Sequence, residues 1–122
     1  MKQGIIRGGI YRVPDRFLTF PPDYDREPHA QRNVIVISGD SAHEDDEWPI
    51  IMVVPCPSQA TRRTKYCVKI PYGVGNMDKK CWARVVAAQP MAKDEVGDFV
   101  GHLPADMLEE IYLNWAEYTG QV

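Results

Sequence analysis

Long apolar runs are missing from this chain. No stretch of its 122 residues approaches the roughly 18 consecutive apolar residues that a membrane helix requires, and the opening "MKQGIIRGGI" has no apolar signal-peptide core. Neither membrane insertion nor secretion is expected, and a cytoplasmic protein is. Cysteine is scarce: Cys56, Cys67 and Cys81 are odd in number, share no C-x-x-C spacing and have few histidines near them. A disulfide scaffold and a zinc site are both disfavoured, and the thiols read as reduced and partly buried. An excess of positive charge is also absent. Net charge is -3, which argues against a protein that coats nucleic acid through bulk electrostatics. Internal repeats, low-complexity tracts and linkers are lacking too, so residues 1–122 form a single domain, large enough to bury a core.

What charge there is lies segregated. Cations gather at Arg12 with Arg16, and again at Arg62, Arg63, Lys65 and Lys69, whereas "HEDDE" and the C-terminal segment hold many of the acids. A polyanion would have to meet one face. The "HEDDE" run, inside a loop expected over 39–47, reads as a solvated acidic turn rather than a carboxylate metal cluster.

Short apolar segments separated by proline-rich and glycine-rich pieces fill the first hundred or so residues, the pattern of a small barrel or sandwich. Strands are expected at 10–13, 34–38, 50–54, 66–70, 82–87 and 99–103. "VIVIS" and "IIMVV" are unbroken runs rich in β-branched residues, which places both strands centrally, buried on two faces. The connection over 14–31 is long, and Pro21, Pro22 and Pro28 keep it from being helical. From 104 to 118 the period changes. Met107, Leu108, Ile111, Trp115 and Tyr118 fall within an arc of about 100° on a helical wheel, with Asp106, Glu109, Glu110 and Glu117 opposite, so an amphipathic helix packs on the sheet. Leu113 falls on the acidic side as an exposed leucine.

The order of motifs resembles the MazF/PemK family of toxins from type II toxin-antitoxin systems. "IIRGGIYRV" is similar to that family's R-G-D/E-I-Y/W-x-V opening and "QRNVIVIS" to its R-P-V-x-V-V-S strand. "VVPCPSQ" is similar to V-V-P-x-T-S/T, "AAQP" to D-Q-P/I, and "VGHLPADMLEEIYLNWAEY" to the final G-x-L-S strand and helix. The likeness runs from about Ile6 to Tyr118. It implies a mainly β fold with a C-terminal helix, an SH3-like small β-barrel of the MazF/PemK/CcdB type. It also implies a homodimer, a cognate antitoxin protein as partner, and a metal-independent endoribonuclease, without cofactor, that cuts single-stranded RNA.

In such a reaction a base takes the ribose 2′-hydroxyl proton, the oxygen attacks the neighbouring phosphorus, an acid protonates the leaving 5′-oxygen, and a cation steadies the phosphoryl charge. The family's arginine falls on Arg32, and arginine suits the task because its planar fork stays charged and donates in pairs to phosphate. The motif's proline is replaced by Asn33. The family's threonine falls on Pro57, leaving Ser58 as the surviving hydroxyl. Its acid falls on Ala88, followed by a matching Gln89 and Pro90, and Met91 replaces a basic residue. His29, three residues before Arg32, is the titratable candidate near neutrality. Arg32, Ser58 and His29 are thus the candidate catalytic residues. Gln59, Arg62, Arg63, Lys65 and Gln89 are candidates for binding RNA, with Tyr11, Phe17, Phe20 and Tyr24 as stacking faces for unpaired bases.

Two readings stand beside each other. One is an active ribonuclease; the other is an attenuated homologue that binds RNA or a protein partner without cutting, because two polar positions of the family are gone. The gyrase-poisoning branch of the same fold depends on an exposed Trp-Gly-Ile end, whereas this chain finishes "WAEYTGQV".

Overall fold

A computed structural model describes residues 4–22, 29–59 and 63–122. Arg62 and Tyr24, both assigned roles above, lie outside the described residues. The strands are β1 (Gly9–Pro14), β2 (Gln31–Val36), β3 (Ile50–Pro55), β4 (Val68–Ile70), β5 (Cys81–Ala83), β6 (Gln89–Ala92) and β7 (Phe99–His102). The helices are a short α1 (Asp40–Glu44) and the terminal α2 (Ala105–Tyr118). The larger sheet has five strands in the order β6-β3-β2-β1-β7, every pair antiparallel, and β4 with β5 forms a second, two-stranded sheet.

β2 and β3 lie inside the larger sheet, as their unbroken apolar runs require. Alternation sends Ile35 and Val54 to one face, with Ile10, Ile70, Leu103, Leu108 and Ile111. It sends Val34, Val36, Ile51 and Val53 to the other, with Tyr11, Val13, Leu18, Phe20 and Met91. The first face is covered by α2, while the second is closed by the segment following β1. Met107, Leu108, Ile111 and Trp115 turn inward on α2 and Leu113 is exposed, as the periodicity predicts, but Tyr118 is half-exposed. Tyr112, off the expected arc, anchors the helix by donating its hydroxyl to Ile37 O at 2.7 Å.

Three features differ from expectation. The segment 82–87 is broken: β5 stops at Ala83 and Val85–Ala87 forms a 3₁₀ turn. β6, unforeseen, pairs with β3, and its Pro90 is tolerated because an edge strand has an N–H side that needs no partner. The expected closed barrel is not found among the described residues, where both sheets are open. The cause is at the end of β3. Trp82 N–H donates to Pro57 O and Arg84 N–H to Pro55 O, both at 2.9 Å, which draws β5 alongside. Neither proline has an N–H to return, so the ladder is one-sided.

The turn leading into β5 is fixed by close backbone approach. Gly75 lies at positive φ, and its carbonyl sits where a Cβ on Gly101 would have to go, so the 3₁₀ turn Val74–Asn76 rests directly on β7. Among the described residues, no helix is long and apolar enough to cross a membrane.

Candidate active site

Where β1 ends, β2 begins and β3 runs out, an open cleft of about 250 Å³ is lined by Arg12, His29, Gln31, Arg32, Asn33, Cys56, Ser58, Asp78, Lys79 and Cys81. The three residues assigned to chemistry, Arg32, Ser58 and His29, therefore meet at one mouth. Antiparallel pairing is the reason. Arg32 opposes Val13 near the end of β1, and β3 delivers Pro55 opposite Val34, so the end of β3 emerges beside the start of β2.

Arg32 is held. Its Nε donates to Asp15 Oδ1 at 3.0 Å, with 14% of the Arg32 side chain exposed and 1% of Asp15. The other carboxylate oxygen, Oδ2, accepts the backbone N–H of His29 at 3.0 Å. One buried carboxylate thus ties together the two segments that carry the guanidinium and the imidazole. Beneath them, the Phe20 ring centre lies 5.2 Å from Arg32 Cζ and 5.3 Å from Arg84 Cζ. A guanidinium whose Nε is committed to a carboxylate still presents its two terminal nitrogens, and those form the fork that grips phosphate.

Asp15 escaped the sequence reading. An aspartate after a proline at a strand end reads as a turn residue, and the adjoining Arg12 and Arg16 suggested a patch of cations. The signal that would have found it is the need of a half-buried arginine for a carboxylate partner. Tyr11 and Phe20, expected as stacking faces, are each 3% exposed and belong to the core. Phe17 is half-buried under Arg16, at 4.6 Å.

Other expected residues fall outside the cleft walls. Gln89 clamps the segment after β1: its Oε1 accepts Thr19 N–H and its Nε2 donates to Thr19 O, both at 3.0 Å. Gln59 is exposed, next to Ser58. Arg63 and Lys65 are exposed, Arg63 stacked 4.8 Å from the Trp82 ring centre and Lys65 5.1 Å from that of Tyr66. Pro57 is buried with its carbonyl engaged, and Ala88 packs against the core beneath α2.

Cys56 and Cys81 form the cleft floor as free, buried thiols, and burial, followed by the neighbouring Cys81, pushes the Cys56 thiol well above its usual range. The "HEDDE" run begins in α1, where His43 turns inward and bonds Ser38 Oγ through Nε2 at 2.8 Å, while Glu44, Asp45, Asp46 and Glu47 are exposed, as expected of a solvated acidic turn. A second hollow of about 530 Å³ is walled by Tyr11, Trp48 and Val96 among others, and of the residues expected at the site it holds Tyr11 alone.

The family described as PemK-like, MazF-like toxins of type II toxin-antitoxin systems matches residues 7–116. The chain belongs to this family. Among solved structures, a MazE–MazF complex from Deinococcus radiodurans is similar at a TM-score of 0.72 and 12% identity, covering 98% of each chain. An endoribonuclease from a mycobacterial species has a TM-score of 0.68 at 17% identity, over 97% of this chain and 93% of that one. Another mycobacterial endoribonuclease, solved with its cognate antitoxin, has a TM-score of 0.69 at 14% identity, over 98% and 96%. At these identities the likeness is one of fold. Among curated proteins, none matches the chain by sequence.

Proposed function

We propose that this toxin is a metal-independent endoribonuclease that cuts single-stranded RNA in the cytoplasm, acting as a homodimer and neutralised by a cognate antitoxin protein. The observation that carries the reading is the convergence of Arg32, Ser58 and His29 on one open cleft, with Arg32 aimed by a buried aspartate. Family membership and the endoribonuclease relatives support it.

The chemistry follows from the groups present. Arg32 donates to the non-bridging oxygens of a phosphodiester and offsets the charge that builds up as phosphorus becomes five-coordinate. Ser58 adds a hydrogen bond to the same group. His29 is the imidazole available for proton transfer. The 2′-oxygen loses its proton and bonds to phosphorus while the bond to the 5′-oxygen breaks and that oxygen is protonated. The products are a 2′,3′-cyclic phosphate and a 5′-hydroxyl. Arg63 and Lys65 extend the cationic rim along which a strand can run, with Gln59 beside Ser58.

A second reading is favoured by one observation: with Pro57 buried and Ala88 packed against the core, two polar positions of the family pattern offer nothing to the cleft. Each such loss commonly costs about 10² to 10³ in rate, and a protein that binds RNA or a partner without cutting would result. Folded protein incubated with long single-stranded RNA in chelator decides between them. Cleavage is expected, together with growth arrest on expression; intact RNA would leave the binding reading in place.

A further inference from the structure

The cleft carries one charge that phosphate gripping does not explain. Among the described residues lining it, Asp78 is the single carboxylate, and Arg12, Arg32 and Lys79 line the same cleft. A negative group in a phosphate site works against the ligand unless it meets a different part of that ligand. Stability does not account for it: Asp78 Oδ2 lies 3.7 Å from Arg12 Nη2, with the side chains 66% and 49% exposed, and exposed pairs of that kind contribute little.

The backbone that carries Asp78 is nonetheless firmly held. Met77, 2% exposed, anchors the turn in the core; its backbone carbonyl accepts Gly73 N–H at 2.9 Å and its sulfur accepts Asn33 Nδ2 at 3.3 Å. The turn before it rests on β7 through Gly75 and Gly101. Asn33 adjoins Arg32, so the carboxylate is mounted on the same framework as the phosphate-gripping guanidinium.

We infer that Asp78 and Arg12 form a base-reading pair that selects guanine beside the phosphate held by Arg32; the inference rests on the ribonuclease reading above. A carboxylate is acceptor-only, so its two oxygens require two adjacent donors. The Watson–Crick edge of an unpaired guanine offers N1–H and N2–H₂ side by side, with the O6 acceptor next to them for an arginine donor. Adenine and cytosine each set a ring-nitrogen acceptor beside their amino group, and uracil flanks its single N–H with two carbonyls. Each would place a lone pair against a carboxylate oxygen.

The test uses oligoribonucleotides containing one guanosine in an otherwise guanosine-free strand, and the same strands with inosine, which lacks only the N2 amino group. Wild-type kcat/KM, and affinity for strands blocked by 2′-O-methyl groups, should favour guanosine over inosine by on the order of tenfold or more, the scale of one lost base contact. In Asp78→Ala the ratio of the two should fall toward one. Equal use of guanosine and inosine by a protein that cuts RNA overturns this inference alone. So does an Asp78→Ala variant that changes every substrate by the same factor, the signature of a bulk charge effect. If the protein binds but does not cut, the ribonuclease reading fails while the affinity ratio still decides guanine selection. Binding to none of these strands overturns both.

Discussion

Arg32 and Arg63 carry the same side chain in different circumstances. Arg32 is fixed by Asp15 at 3.0 Å and backed by Phe20; Arg63 is exposed and rests on the face of Trp82. A guanidinium locked by a buried carboxylate has lost its rotamer freedom at folding and has little more to lose when a transition state forms, which is the basis of electrostatic preorganisation. A surface guanidinium lying on an aromatic ring follows whatever phosphate passes. The first suits chemistry at one bond, the second attraction along a strand.

Removing the fixed arginine should produce the largest effect. Arg32→Ala is expected to lower the single-turnover cleavage rate by about 10² to 10³ or more, read from end-labelled RNA at saturating protein. Loosening it without removing it should cost less: Asp15→Asn is expected to reduce kcat by on the order of 10- to 100-fold, the scale of a misplaced catalytic group, with a smaller change in affinity for a 2′-O-methyl strand. An equal loss in both quantities would mean that Asp15 holds the fold rather than the aim of Arg32.

The clamp on the segment carrying Phe20 is a step further away. Gln89→Ala deletes both hydrogen bonds to Thr19 and should lower unfolding free energy by about 1–2 kcal/mol, measured by urea titration. The smallest effect belongs to the surface arginine. Arg63→Ala should weaken RNA binding similarly for all sequences and lower the slope of log affinity against log salt by about 0.7, as expected for one contact to a single strand. A loss at Arg63 as large as that at Arg32 would erase the distinction between them.

The same distinction separates what was legible in the sequence from what was not. β2 and β3 could be read because burial on both faces leaves an unbroken apolar run, and α2 because its period changes to that of a helix. Arg32 and Ser58 were singled out through the order of motifs, and both line the cleft. Asp15 was not, since the burial of a carboxylate depends on a partner 17 positions away, and no local pattern records such a pairing. β6 was missed because its "QPMA" has neither alternation nor β-branching, and the one-sided ladder at Pro55 and Pro57 because prolines between apolar residues do not reveal which strand will donate to them. Tyr11 and Phe20 misled for the opposite reason: an aromatic ring serves equally well as a stacking face or as core, and only packing decides.

The account is tested most directly by mapping the ends of a long mixed-sequence RNA after incubation in chelator with the wild type and with Arg32→Ala. The wild type is predicted to leave 2′,3′-cyclic phosphates and 5′-hydroxyls, and Arg32→Ala to leave the RNA intact while retaining its native circular dichroism. The same cuts at comparable rates from the folded variant would contradict the placement of the chemistry at Arg32.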